Sequence, residues 1–133
     1  MLNVRRACDV RKKKLLIVED DSVQLQLLAA KLRTVGYDVV VARDGVQSIS
    51  LVRQQQPNLI LLDIGLPAGD GYVVLQRLKS LALSLPVIAL SSRPAETERA
   101  KMLAAGADDY FEKPLEYQRL TKRIKALLGE LPW

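Results

Sequence analysis

The chain has 133 residues, of which 49% are apolar and 26% are charged, a balance typical of a single globular domain. It contains no histidine, which excludes histidine-based acid–base catalysis, histidine–metal sites and phosphohistidine formation within this chain. The single Cys8 allows no internal disulfide, and no apolar run approaches the roughly 20 residues that a membrane helix needs.

The net charge of +5 comes from the start of the chain. Residues 1–14 hold six basic side chains against Asp9, whereas acidic and basic residues balance in the rest of the sequence. We predict a flexible basic leader over residues 1–13, a folded domain over residues 14–129 and a short tail over residues 130–133. Because the domain itself carries no net charge, we expect no direct contact with nucleic acid. The start also lacks the apolar segment of a signal peptide, so we expect a cytoplasmic protein without a membrane span.

Five short apolar runs predict β-strands. The third, from Leu59 to Asp63, shows no apolar–polar alternation, which is typical of a strand buried on both faces of a parallel sheet. In chain order the predicted strands are Lys14–Val18, Asp38–Ala42, Leu59–Asp63, Pro86–Leu90 and Asp109–Phe111.

A helical pattern follows each strand. Asp21 or Ser22 is a suitable cap for the first helix and Asp44 for the second, while Gly36 and Gly106 are suitable stops. The apolar stripes are Leu25, Leu28, Leu32 and Val35, then Val46, Ile49 and Val52, then Val74, Leu75, Leu78 and Leu81, and finally Leu120, Ile124 and Leu127. The fourth helix, from Glu96 to Ala105, has few large apolar residues. Five strand–helix repeats predict an α/β fold with an open parallel sheet and helices on both faces.

Polar residues stand where the apolar strands end. Glu19 and Asp20 follow the first strand, Asp63 ends the third, Ser91 follows the fourth and Lys113 follows the fifth. In an open α/β sheet, ligands bind outside the carboxyl ends of the strands. With the strand order 2-1-3-4-5, the first and third strands are neighbours about 4.8 Å apart. The three carboxylates therefore crowd together, with the serine and the lysine beside them.

Three carboxylates in one place repel one another and require a cation, and a set of oxygen ligands suits Mg²⁺. We expect Asp20 and Asp63 to be direct ligands, with the backbone carbonyl of Gly65 as a third. Glu19, which is one atom longer, would hold a water molecule on the ion. Lys113 and Ser91 would then contact phosphoryl oxygens, and Asp63 would attack phosphorus to form an acyl phosphate.

The chain resembles the receiver domain of bacterial two-component response regulators from about residue 14 to residue 129. Four runs carry the resemblance: Val18-Glu-Asp-Asp21, Asp63-Ile-Gly-Leu-Pro-Ala-Gly-Asp-Gly71, Ala89-Leu-Ser-Ser92 and Asp109-Tyr-Phe-Glu-Lys-Pro114. The resemblance implies a flavodoxin-like, doubly wound (βα)5 fold. It also implies a phosphoacceptor at Asp63, Mg²⁺ at Glu19, Asp20 and Asp63, a family lysine at Lys113, and a cis bond between Lys113 and Pro114.

The resemblance further implies a conformational switch with Ser91 as its hydroxyl and Tyr110 as its aromatic residue. If Ser91 moves toward the phosphoryl group, the Tyr110 ring fills the vacated space from outside. This change alters the surface of the fourth helix, fifth strand and fifth helix, where a downstream protein would bind. The phosphoryl donor would be a histidine kinase or a histidine phosphotransfer protein, since the chain has no histidine of its own.

Other interpretations remain open. A metal-dependent hydrolase with an aspartyl-phosphate intermediate usually has a second acid two residues after the nucleophile, where this chain has Gly65. A receiver-like scaffold that is never phosphorylated does not need the full set of site residues. A receiver cut from a longer protein is a third alternative. We expect a signalling module rather than an enzyme with a separate substrate. Gly65 and Arg93 flank the expected phosphoryl group with opposing effects on its lifetime, so the sequence predicts no lifetime.

Overall fold

The structure, a computed structural model, describes residues 12–65 and 71–130. Most of the predicted leader and tail, and the loop that begins the third helix, lie outside these ranges. Strands and helices alternate in chain order: β1 (Lys14–Val18), α1 (Ser22–Val35), β2 (Asp38–Ala42), α2 (Gly45–Gln55), β3 (Leu59–Asp63), α3 (Gly71–Leu81), β4 (Val87–Ser91), α4 (Ala95–Ala104), β5 (Asp109–Glu112) and α5 (Tyr117–Leu127).

The five strands form one parallel sheet in the order β2-β1-β3-β4-β5. This is the predicted flavodoxin-like order, and it places β3 at the centre. Every residue of β3 and of β4 is buried. Burial on both faces explains why these strands are continuous apolar runs rather than alternating ones.

Helices cover both faces of the sheet. On one face, leucines of α1 and two residues of α5, Leu120 and Ile124, pack against alternate strand residues such as Ile17 and Leu61. On the other face, α2, α3 and α4 pack against the residues in between, such as Leu16 and Leu62. Side chains that alternate between the faces of a strand therefore divide the core into two layers.

The predicted helix ends are largely confirmed. The Asp21 side chain accepts hydrogen bonds from the N–H groups of Val23 and Gln24, and Asp44 accepts one from Gln47. Gly36 has a φ of 115°, the left-handed conformation that ends α1. Asp21 is thus a helix cap rather than a member of the acidic cluster at the strand ends.

The prediction that the apolar stripes face the core is wrong for three residues. Val46 is 82% exposed, and Val35 and Leu81 are near 40% exposed. In α2 the residues that face the core instead include Ser48, which is fully buried. Its hydroxyl donates a hydrogen bond to the carbonyl of Gly45 at 2.6 Å. An internal hydrogen bond satisfies this hydroxyl, so a polar residue occupies a position that the apolar pattern assigns elsewhere.

Two strand ends also differ from the prediction. β4 begins at Val87 and runs through Ser91, and β5 continues to Glu112. The extra residues form parallel pairs, with Ser91 opposite Glu112. No helix in the described ranges is long and apolar enough to cross a membrane.

Candidate functional site

The strand register brings the predicted site residues to one edge of the sheet. Asp63 is the last residue of β3, and its register partner on β4 is Leu90, which directly precedes Ser91. Glu19 and Lys113 directly follow the last residues of β1 and β5. All four side chains therefore start from the carboxyl ends of adjacent parallel strands.

The acidic residues form a compact cluster. One carboxylate oxygen from each of Glu19, Asp20 and Asp63 can be chosen so that all three atoms lie within 4.8 Å of one another. Glu19 is 5% exposed and Asp63 is 7% exposed, whereas Asp20 is half-buried. Buried carboxylates at this spacing are costly unless a cation compensates them.

The ammonium group of Lys113 partly compensates the cluster. Its Nζ lies 2.7 Å from Oε1 of Glu19 and 3.3 Å from Oδ2 of Asp63. Burial favours the neutral amine, but the two carboxylates outweigh this effect and raise the pKa of Lys113 above its usual value. Lys113 therefore remains a cation inside the site.

Glu19 has both carboxylate oxygens engaged. Oε1 accepts from Lys113, and Oε2 accepts from the backbone N–H of Asp21 at 3.1 Å. Burial and the proximity of Asp63 raise the pKa of Glu19 to about 7, although the bond from Lys113 acts in the opposite direction. Glu19 is thus held by one hydrogen bond on each oxygen, as Asp63 is by Gly65 and Lys113.

Gly65 contacts the predicted acceptor through its N–H, which donates to Oδ1 of Asp63 at 2.9 Å. A Cβ atom at Gly65 would lie 3.5 Å from the same oxygen, which is ordinary van der Waals contact. A side chain at this position would therefore sit directly beside the acceptor, and glycine leaves that side open.

The predicted switch residues are also close together. Ser91 is 4% exposed, and its Oγ accepts from the N–H of Arg93 at 3.1 Å. Tyr110 is 3% exposed and donates its hydroxyl to the carbonyl of Arg93 at 2.6 Å. Burial and the nearby Glu98 carboxylate raise the pKa of Tyr110, so it remains a neutral donor. The sequence expectation has this ring entering from outside, whereas here it already occupies an inner position.

The loop between β4 and α4 is held from a second side by a residue that the sequence analysis missed. Oε1 of Glu112 accepts from the N–H of Ala95 at 3.0 Å and so caps α4, whose own N-cap residue, Pro94, makes no side-chain bond. The bond between Lys113 and Pro114 is cis, as the resemblance implies.

Two further contacts also escaped the sequence analysis. Gln24 of α1 accepts a hydrogen bond from Nζ of Lys113 at 2.7 Å. Asp109 of β5 is held between two arginines, each at 2.7 Å: Arg99 of α4 and Arg123 of α5. Both contacts join residues far apart in sequence, and no local pattern reveals them.

The model of the response regulator receiver domain family matches residues 15–125, which is most of the chain. The chain belongs to this family. Receiver domains are the modules of two-component signalling on which response regulators depend. The predicted identity and the predicted fold are therefore confirmed.

Named relatives and solved structures agree with this assignment. The chain is 38% identical over 115 residues to the response regulator MprA of Mycobacterium leprae, covering 86% of this chain and 50% of that protein. A putative response regulator from Chloroflexus aurantiacus superposes with a TM-score of 0.84 at 32% identity, covering 90% of this chain and 99% of the other. The chain thus spans about half the length of the curated relatives that it matches.

A third comparison concerns a protein with a bound metal. The receiver domain of a sensor histidine kinase from Pseudomonas aeruginosa superposes with a TM-score of 0.81 at 30% identity, covering 90% of this chain and 99% of that one. In that structure a magnesium ion is coordinated in the active-site cleft.

Proposed function

We propose that this receiver domain accepts a phosphoryl group on Asp63 and thereby changes a protein-binding surface. The arrangement around Asp63 carries the proposal: a buried carboxylate at the end of the central strand, with a lysine at 3.3 Å and two further acids beside it. The proposed receiver domain comprises residues 14–129. The cytoplasmic location stays a prediction.

The described residues fit Mg²⁺ by the chemistry of their donors. The acidic cluster supplies only oxygen atoms, which is the ligand set of a hard divalent cation. Asp20 and Asp63 would be the direct ligands, with the carbonyl of Gly65 as a third. Glu19, whose side chain is one atom longer, would act through a water molecule. When bound, the ion would neutralise negative charge on the carboxylates and on a phosphoryl oxygen.

The reaction consists of one displacement at phosphorus. A carboxylate oxygen of Asp63 forms the new P–O bond while the P–N bond of a phosphohistidine donor breaks, and its electron pair stays on the imidazole nitrogen. Lys113 stabilises charge on one equatorial oxygen, and Ser91 donates its hydroxyl to another. The donor is a histidine kinase or a histidine phosphotransfer protein.

The output arises at the neighbouring contacts. When the Ser91 hydroxyl turns toward the phosphoryl group, its bond from the N–H of Arg93 is strained or lost. That loop is also bound by the hydroxyl of Tyr110 and, through Ala95, by Glu112. Movement of Ser91 is therefore transmitted to the start of α4, and the face formed by α4, β5 and α5 binds a downstream protein differently.

The domain catalyses only its own phosphorylation and dephosphorylation under this proposal. Gly65 stands where an aspartyl-phosphate hydrolase usually has its second acid, and its N–H contacts Asp63 instead. A scaffold role without phosphorylation is the remaining alternative, and it is distinguished by the experiment below.

The test is phosphate-affinity electrophoresis after incubation with acetyl phosphate and Mg²⁺. We expect a slow-migrating band for the wild-type chain that depends on Mg²⁺ and is absent from Asp63→Ala. Asp38→Ala, which removes an exposed aspartate at the start of β2, should be labelled like the wild type. A band that persists in Asp63→Ala would contradict the acceptor assignment, and no band in the wild type would favour a scaffold.

A further inference from the structure

Gln24 of α1 accepts a hydrogen bond from the ammonium group of Lys113. We propose that it is a positioning residue for Lys113 in phosphoryl transfer. The inference rests on the proposed function, which it extends to a residue of α1 outside the acidic cluster. It is carried by a closed set of hydrogen bonds among described residues.

The ammonium group of Lys113 has three N–H donors, and three neighbouring side chains accept from it. Glu19 and Gln24 accept at 2.7 Å each, and Asp63 accepts at 3.3 Å. The two shorter bonds fix the position of the ammonium group, and the longest one points at the phosphoacceptor. A lysine has a flexible four-carbon side chain, so its position depends on such partners.

The two shorter bonds belong to a ring that includes the first turn of α1. Oε2 of Glu19 accepts from the N–H of Asp21, and Oδ1 of Asp21 accepts from the N–H of Gln24. The Gln24 side chain then accepts from Lys113, which returns to Oε1 of Glu19. The helix cap, the acidic cluster and the lysine therefore hold one another in place.

The position and charge of the three acceptors indicate which hydrogen bond of Lys113 changes during the reaction. A phosphoryl group on Asp63 lies on the side of the longest bond, so the N–H that points there is the one redirected to a phosphoryl oxygen. Gln24 is neutral, so it orients Lys113 without competing for the ammonium charge as a third carboxylate would. Without Gln24, that donor would turn to solvent and the ammonium group would move away from Asp63 more often.

The experiment compares Gln24→Met with Gln26→Met. Methionine has about the size of glutamine, favours helices and lacks a strong acceptor. Gln26 is an exposed residue of the same helix, and it makes no hydrogen bond to Lys113. Acetyl phosphate is the donor because it has no protein surface that touches α1. We expect Gln24→Met to be labelled about threefold to tenfold more slowly than the wild type, and Gln26→Met to be labelled at the wild-type rate.

A double-mutant cycle with Lys113→Met separates positioning from a structural effect. In the Lys113→Met background, adding Gln24→Met should cause no further slowing. Gln24→Ala is the second variant, and thermal unfolding confirms that each variant is folded. Labelling of Gln24→Met at the wild-type rate, or equal slowing with and without Lys113, would overturn the inference alone. A wild type that is not labelled on Asp63 would overturn the proposed function as well.

Discussion

At the residue scale, the buried carboxylates of Glu19 and Asp63 depend on the ammonium group of Lys113. Both acids are less than a tenth exposed, and Lys113 contacts both. Removing one partner of a buried charged group leaves the other uncompensated, which costs far more than a surface ion pair is worth. Lys113 therefore stabilises the site before phosphorylation and, under the proposed function, binds the phosphoryl group afterwards.

Under the proposed function, we expect the lifetime of the phosphoryl group to depend on Gly65 more than on Arg93. A side chain at Gly65 would begin 3.5 Å from Oδ1 of Asp63, whereas Arg93 is exposed and directs its guanidinium group toward Glu98, at 3.6 Å. We predict that Gly65→Leu slows the loss of the phosphoryl group by about threefold or more, because the side chain excludes water from the acceptor. The measurement is the decay of the slow-migrating band after the donor is removed.

The matched control for that prediction is Arg93→Gln, which should decay at close to the wild-type rate. The opposite pattern, with Arg93→Gln changing the decay and Gly65→Leu leaving it unaltered, would show that the arginine covers the phosphoryl group in solution.

Substitution of Ser91 tests whether its hydroxyl senses the phosphoryl group. We predict that Ser91→Ala is still phosphorylated but loses the response of the β4–α4 loop, since the hydroxyl that would turn from the N–H of Arg93 to the phosphoryl group is absent. The measurement is the change in backbone amide chemical shifts of residues 93–104 on phosphorylation. Ser92→Ala, which removes a neighbouring exposed hydroxyl, should keep those changes. If phosphorylated Ser91→Ala showed the same amide chemical-shift changes as the wild type, the proposed sensing mechanism would be excluded.

The sequence predicts those site residues whose position follows from the end of a strand. Asp63 ends an apolar run, and parallel strands bring the other strand ends to the same edge, so the acids and the lysine are predictable. Gln24 is not predictable, because its bond to Lys113 spans 89 residues and depends on side-chain rotamers. Glu112 likewise looks like an ordinary exposed strand residue until the start of α4 is placed beside it.

At the scale of elements, α4 buries little apolar surface, as does α2, whose buried residues are Ser48 and Val52. α4 buries Glu98 and Met102, whereas α1 buries three leucines and an alanine. Oε1 of Glu98 has no hydrogen-bond partner among the described residues, and only the longer ion pair with the exposed Arg93, at 3.6 Å, compensates its charge. Few apolar contacts mark the elements that move most easily, which supports the proposal that α4 is part of the surface that changes on phosphorylation.

Asp109 attaches α4 to β5 and α5 through two ion pairs. It is 7% exposed and joins Arg99 of α4 to Arg123 of α5, with both arginines partly exposed to solvent. We predict that Asp109→Asn lowers the free energy of unfolding by about 1–3 kcal/mol, because the side chain keeps its shape but loses its charge for two partners. Urea unfolding measures this change.

Asp38→Asn, an exposed aspartate in β2, is the control for Asp109→Asn and should change stability by less than about 0.5 kcal/mol. Equal stabilities for the two variants would mean that the Asp109 ion pairs contribute nothing beyond what solvent provides.

At the scale of the whole molecule, the alternation of strands and helices was enough to predict the fold. Five strand–helix repeats at regular spacing predict a parallel sheet, and the family resemblance predicts its order. The apolar stripes were less reliable: Val46 belongs to the pattern of α2 but faces solvent, and Ser48 takes the buried place. Apolar periodicity misses a buried serine such as Ser48, because its hydroxyl donates a hydrogen bond to a backbone carbonyl of the same helix and can therefore be buried.

The most direct test of the account is to trap the acyl phosphate chemically and locate it. Borohydride reduces an aspartyl phosphate to homoserine, so the phosphorylated chain would be treated with borohydride, digested and analysed by mass spectrometry. If Asp63 is the phosphoacceptor, homoserine is expected at position 63 and at no other aspartate, and none in a sample without phosphodonor. Reduction at Asp20 or another acid, with position 63 unchanged, would contradict it.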